Sequence, residues 1–344
     1  MRGINTGSPM DDVITINHGA GGRQSHELIS RVFAAAFGMP MPLTDSAIIE
    51  DAVNTLAFTT DSYVVDPVFF PGGDIGKLSI CGTVNDLAVS GAVPKYISAS
   101  FIIEEGFPVG HLRKIAESMA EEAHKAGVKI VTGDTKVVEK GKCDQLFITT
   151  SGIGMLQRDR TGISSGVEVA RGDKLIINGS LGNHAIAVLG SRNKLSFTTP
   201  VISDCAPLNH MINKVLEKCK KIHFMRDLTR GGLSGVLNEL AAICEKGIII
   251  DENSIPVDGP VRGACEMLGF DPLYLANEGK ILIVAASSES EEILSILKSD
   301  PLGRNSAIIG EISGQNEGRV ILNTLTGGKR IVDMPSGVQL PRIC

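Results

Sequence analysis

Residues 157–172 divide this chain. The stretch is polar, holds three glycines, and interrupts a run of strand-like and helix-like patterns that restarts on its far side. In a chain of 344 residues such a break leaves room for two mixed halves of similar size, each with its own core. The expected class is α+β. The expected division is a disordered extension over 1–12, a first domain over 13–160, a second over 161–333, and a mobile tail over 334–344.

Before the break, a glycine-rich loop, His18-Gly19-Ala20-Gly21-Gly22-Arg23, feeds a helix with Leu28, Val32, Ala35 and Ala36 at helical spacing, ended by Pro40 and Pro42. Paired strands are predicted over 46–49 and 55–60, and helices over 77–92 and 111–126, the second closed by Gly127. A strand over 128–132 is expected to deliver a loop, Gly133-Asp134-Thr135-Lys136. Further strands are expected over 96–104 and 145–155. After the break come strands over 173–178, 280–286, 306–312 and 319–323, with helices over 205–220, 233–245 and 290–298.

Several function classes are disfavoured at once. The formal charge of -6 gives no electrostatic support for nucleic acid or a membrane surface. No apolar run approaches the roughly 20 residues of a membrane span. Seven scattered cysteines, an odd number with no C-x-x-C pair, argue for a reducing compartment, and cytoplasmic location is the expectation. Neither a P-loop nor an extended G-x-G-x-x-G occurs, so any nucleotide is held by other means.

Five aspartates stand at ends of elements, in turns, or within a helix: Asp45, Asp61, Asp86, Asp134 and Asp227. Carboxylates converging from strand ends suit magnesium, which takes hard oxygen ligands and shares them with phosphate. Asp at strand ends also serves ordinary local hydrogen bonding. Asp86 differs, because an acid within the apolar side of a helix is costly unless paired or metal-bound. Gly21 and Gly22 are candidates for cradling phosphate. Lys136 and Arg158 are candidate cations for phosphate or a developing oxyanion, and Glu278, just before an apolar strand, is a candidate general base. Each of these also reads as an ordinary surface charge or turn residue.

The last residues, Pro341-Arg342-Ile343-Cys344, end a stretch whose two prolines and glycine suit neither helix nor central strand. Extended, residues 334–344 reach roughly 36 Å at most, enough to carry a thiol into a cleft.

Taken in order, Thr59-Thr60-Asp61, Asn85-Asp86-Leu87-Ala88, Gly133-Asp134-Thr135-Lys136, Arg226-Asp227-x-Thr229-Arg230-Gly231-Gly232-Leu233 and Asn277-Glu278-Gly279 resemble the ATP-dependent superfamily of aminoimidazole ribonucleotide synthetase and selenophosphate synthetase. The early glycine loop and the terminal Pro-Arg-Ile-Cys resemble, within it, the HypE family, the carbamoyl dehydratases of [NiFe]-hydrogenase maturation. The likeness spans essentially the whole chain. Leu228 departs from it, since proline is usual there, as do the dozen residues before Val13. Selenophosphate synthetases carry their nucleophile in an early loop, and no cysteine precedes Cys81 here. Purine-pathway synthetases and thiamine-monophosphate kinases need no terminal cysteine. A non-catalytic assembly scaffold would need no aspartate set.

The resemblance implies a first domain that dimerises through a shared barrel of strands and binds ATP. It implies Asp45, Asp61, Asp86 and Asp227 as Mg-ATP ligands, Lys136 and Glu278 near the transferred group, and Cys344 as its carrier. The implied reaction is ATP-dependent dehydration of an S-carbamoyl group to an S-cyano group. The implied partners are a HypF-like carbamoyltransferase, a HypC–HypD iron scaffold as cyanide acceptor, and a second copy of the chain.

Overall fold

The computed structural model describes residues 22–28, 30, 31, 44, 46–50, 55–193, 201–337 and 340–344. The 1–12 extension, loop residues 18–21, Asp45 and the helix expected beyond residue 31 lie outside them. A short helix α1 (Arg23–Leu28) is described after the loop.

The first half is a five-stranded sheet in the order β1-β2-β7-β5-β6, where β1 is Ala47–Glu50, β2 Thr55–Tyr63, β5 Val93–Glu104, β6 Lys129–Val138 and β7 Leu146–Leu156. A small hairpin, β3 (Phe69–Phe70) with β4 (Gly73–Asp74), leads into helix α2 (Ile75–Val89). Alternation in β2 turns Ala57, Thr59 and Tyr63 inward and Phe58, Thr60 and Ser62 outward. The inner face packs on α2 and on α3 (Val109–Ala126). The outer face leaves Phe58, Tyr96, Ile102, Ile153 and Met155 exposed.

Gly133 to Lys136, expected as a loop, lie inside β6. The strand stays paired in parallel with β5 from Lys129 to Val138. Gly133 is there for closeness rather than for a turn, since a Cβ would stand 2.2 Å from the Ala99 carbonyl oxygen of β5.

The second half is a seven-stranded sheet in the order β14-β13-β10-β12-β8-β11-β9. Its strands are β8 (Lys174–Ile177), β9 (Ile222–Asp227), β10 (Gly247–Asp251), β11 (Ile281–Ala285), β12 (Ala307–Ser313), β13 (Val320–Asn323) and β14 (Lys329–Ile331). Five helices accompany it: α4 (Asn183–Arg192), α5 (Asn209–Lys218), α6 (Gly232–Cys244), α7 (Gly259–Leu268) and α8 (Ser290–Lys298). The strands β9, β10 and β14 and the helix α7 were not predicted. The helix expected from 205 begins only at Asn209. Pro207 disfavours helix before it, and the Asp204 carboxylate is engaged with the backbone of His184 and Gly279.

The halves share their interior. Ala185 to Val188 of α4 and Val261 of α7 sit in the core of the first half, and Ala88 and Val89 of α2 sit in that of α5, α8 and the second sheet. Asn85 braces the junction. Its Nδ2 donates to the carbonyls of Ala206 (3.1 Å) and Glu278 (3.4 Å), and its Oδ1 accepts from Leu208 N–H at 2.8 Å. Asn85→Ala would leave these buried groups unmet, and a loss of about 3 kcal/mol is expected in urea unfolding. A loss under about 1 kcal/mol would show that the brace adds no more than a single ordinary hydrogen bond.

Candidate active site

One polar cavity of about 210 Å³ opens where the halves meet. Thr59, Thr60, Asp61 and Tyr63 reach it from β2, Gly82 and Asp86 from α2, and Asp227 from the last position of β9. Thr229 and Arg230 line it from the turn before α6, Glu278 from the turn before β11, and Cys344 from the tail. The structure thus brings together Asp61, Asp86, Asp227, Glu278 and Cys344, which the sequence singled out.

Local chemistry explains how each is held. Thr59 Oγ1 donates to Asp86 Oδ2 at 2.8 Å, and Tyr63 Oη to Asp61 Oδ2 at 3.1 Å. Two successive glycines, Gly231 and Gly232, take positive φ (82° and 58°) and turn the chain from β9 into α6, presenting Arg230. Leu228, where the family usually has proline, uses the N–H that proline lacks, donating to the Lys280 carbonyl at 2.9 Å. Asn277 is wholly buried. Its Nδ2 donates to the carbonyls of Leu228 and Leu275, and its Oδ1 accepts from Gly182 N–H. Gly279 is required because a Cβ would lie 1.9 Å from the Asp204 carbonyl oxygen. Asn-Glu-Gly therefore reads as a tie, a functional acid and a close approach.

Glu278 is 3% exposed, and its Oε1 has no hydrogen-bond partner among the described residues. Burial raises its carboxyl well above the usual range, and the charges of Cys205, Asp227, Asp204 and Asp61 add to this. Cys344 keeps part of its surface open to the cavity. Its thiol is pushed up to about 12, first by burial and then by Glu278, with Arg230 opposing. Arg230 is held charged by its acidic surroundings, Cys344 foremost.

The tail is docked where it is described. Val64 N–H donates to the Cys344 carbonyl at 3.1 Å and Asp66 N–H to that of Arg342 at 3.2 Å, continuing the line of β2. Ile343 is 5% exposed within the shared core, a burial that contributes roughly 2 kcal/mol to holding the end in place.

Other candidates stand elsewhere in the single chain. Asp134 and Lys136 form an ion pair of 2.7 Å on the exposed strand β6, away from the cavity. Arg158 is exposed just after β7. Gly22 packs against Pro335, leaving no room for a Cβ, and Arg23 N–H donates to the same Pro335 carbonyl. Asp45 and Gly21 lie outside the described residues. Arg230, Thr229 and Tyr63 were not singled out as site residues. Arg230 had a signal, its place in the Arg-Asp-x-Thr-Arg-Gly-Gly motif.

The acid set suits a divalent cation chemically, with hard oxygens from three aspartates facing one space. No cluster of three or more acidic, histidine or cysteine side chains among the described residues forms a ready cage.

Two mixed halves joined over such an acidic cleft define a protein of the AIR synthase-related type. The family model for the AIR synthase related protein N-terminal domain matches residues 44–156, and that for the C-terminal domain matches 170–323. Within that class, the chain belongs to the HypE family of carbamoyl dehydratases. It is 47% identical over 339 residues to carbamoyl dehydratase HypE of Rhodobacter capsulatus, covering 97% of this chain and 99% of that one. A crystal structure of a HypE–HypF complex superimposes with TM-score 0.84 at 48% identity, covering 90% of this chain and 99% of that one. The hydrogenase maturation protein HypE in complex with ATP gives 0.81 at 43% identity, with 96% and 100% covered.

Proposed function

We propose that this protein is an ATP-dependent carbamoyl dehydratase acting on an S-carbamoyl group carried by its own Cys344. One observation carries the reading: Cys344 lines the same cavity as Asp61, Asp86, Asp227 and Glu278, and its thiol feels the charges of Glu278, Asp61 and Asp227. A tail that only decorated the surface would have no reason to deliver a thiol there.

The chemistry needs these parts. Hydroxide is too poor a leaving group for an amide to become a nitrile directly. Phosphorylating the amide oxygen makes that oxygen leave as phosphate, while the nitrogen gives up two protons and gains the third C–N bond. The sum is R–S–C(O)NH₂ + ATP giving R–S–CN + ADP + phosphate + H⁺. Glu278 takes a proton from the nitrogen, and Arg230 faces the negative charge that develops on oxygen. The S-cyano product is the precursor of the cyanide ligand in [NiFe]-hydrogenase maturation.

The carboxylates of Asp61, Asp86 and Asp227 facing one cavity would repel a triphosphate, so a nucleotide would enter together with a cation. Asp61, Asp86 and Asp227 would hold magnesium, together with Asp45. The ion offsets phosphate charge during transfer. The cavity is also smaller than the roughly 300–1,000 Å³ of a site that buries a whole ligand. A second copy laid on the exposed apolar sheet face would extend it and bring Asp134, Lys136 and Arg158 near an interface. The solved HypE–HypF complex supports a HypF-like carbamoyltransferase as donor, and a HypC–HypD iron scaffold is the acceptor that the chemistry calls for. No helix of the described residues is long and apolar enough to cross a membrane. All seven cysteines are free, which supports a reducing, cytoplasmic setting.

Mass spectrometry of the tail peptide tests this. After incubation with carbamoyl phosphate, ATP and an active carbamoyltransferase, Cys344 should carry a carbamoyl group that loses water only when ATP is present. An unmodified Cys344 beside an active partner would sink the proposal.

A further inference from the structure

We propose that helix α4 carries a main-chain clamp, His184 and Arg192, which seats residues 341–343 in one register and so fixes where the Cys344 sulfur stands. The inference deepens the reading of Cys344 as the carrier. Arg192 Nη1 donates to the Pro341 carbonyl at 2.8 Å and Nη2 to that of Arg342 at 2.7 Å, while Nε donates to Asp66 O at 2.8 Å. His184 Nε2 donates to the Ile343 carbonyl at 2.7 Å. The two residues are eight apart, a little over two helical turns, so one rigid element spaces both donors.

The histidine is built for this. A carbonyl can only accept, so the proton sits on Nε2. Nδ1 in turn accepts from Ser203 Oγ at 2.8 Å, and that oxygen accepts from Cys205 N–H at 3.1 Å. Burial lowers the His184 pKa and keeps the ring neutral, with the Asp204 charge opposing. The Phe70 ring meets the imidazole edge-to-face.

Val64 and Asp66 engage the tail backbone from the other side, so each carbonyl from 341 to 344 has a donor. These atoms are common to all residues. The clamp therefore reads where the backbone lies, not which side chains it bears. Identity is read separately by Arg342, which pairs with Asp144, donates Nε to Val64 O at 2.9 Å and lies over Phe147. Arg342 is held at φ 53°, a left-handed conformation that an arginine keeps only where its surroundings impose it. Neither His184 nor Arg192 lines the acid cavity. They are positioning residues.

The test is the rate at which iodoacetamide alkylates Cys344 in the full-length protein at neutral pH, followed by the mass of the tail peptide. Arg192→Ala and His184→Ala should each raise it roughly tenfold or more, the loss of one or two charge-assisted or buried hydrogen bonds. His184→Gln, whose amide keeps a donor, should restore protection. One glycine inserted between Leu340 and Pro341 should leave the rate low, whereas one inserted between Ile343 and Cys344 should raise it. An unchanged rate in Arg192→Ala, no rescue by glutamine, or equal effects of the two insertions would each overturn the clamp. If His184→Ala unfolds, revealed by alkylation of buried Cys81 and Cys205, the insertion pair still decides. No carbamoyl chemistry enters the readout, so failure of the carrier role and failure of the clamp are told apart.

Discussion

Glu278→Gln should lower the ATP-dependent dehydration of a carbamoyl-loaded chain by about 10²–10⁴-fold, the usual worth of a positioned proton acceptor, while Cys344 should still accept its carbamoyl group. The carboxyl is buried, raised by desolvation and by neighbouring acids, and has an oxygen without a partner among the described residues. A base must first lose its proton. The wild-type rate should therefore rise with pH through a limb displaced above the usual carboxylate range, and the glutamine variant should lack that limb. Single-turnover assays of pre-loaded protein across pH would check both parts. A glutamine variant at wild-type rate would remove Glu278 from the chemistry.

The second large effect belongs to the sulfur. Docked, the Cys344 thiol is pushed from its ordinary 9.0 up to about 12, first by burial and then by Glu278. At any pH below 9 the docked thiolate is then roughly a thousandfold scarcer than that of an ordinary cysteine. The raised value stabilises docking fully below 9.0, and this contribution is lost as pH climbs from 9.0 towards 12. Alkylation of Cys344 should thus keep rising past 9 without levelling, and Arg192→Ala should bring the plateau back towards 9. A wild-type profile that already levels near 9 would show that the tail reacts from outside the cavity. The physical meaning is a division of labour. On the proposed reading, attack on a carbamoyl donor, which needs a thiolate, would belong to the undocked tail, whereas the neutral thiocarbamate would be at no such disadvantage in the cavity.

Much of this was visible in the residues. Strong local periodicity marked β2 and α3, and Gly127 closed α3 in the left-handed conformation expected of it. Glu278 is legible by standing just before an apolar strand, and Asp227 by its place in the Arg-Asp-x-Thr-Arg-Gly-Gly motif, whereas Asp61, expected at the end of its strand, lies inside β2, which runs on to Tyr63. The setting of Asp86 differs from the one its helical spacing predicts. The residue does not interrupt an apolar stripe, because α2 is buried on nearly every side and the acid faces the cavity. The Gly133 to Lys136 stretch misled because a glycine demanded by strand contact looks like a glycine demanded by a turn. His184 and Arg192 carried no local signal. Their partners are backbone carbonyls some 150 positions away, 159 for His184 and 149 and 150 for Arg192, and main-chain atoms leave no mark on residue types.

Since the docked sulfur and the acids of β2, α2 and β9 border one cavity, occupancy of the acidic side and occupancy of the tail side are reciprocally linked. Whatever factor separates nucleotide affinity with the tail in from affinity with it out, nucleotide must shift the tail's equilibrium by that same factor. If a loaded tail and an empty one dock unequally, they also present nucleotide with unequal sites. In that case the cargo itself would act as an effector of ATP binding, and the chain would sense whether it is loaded without a separate sensor.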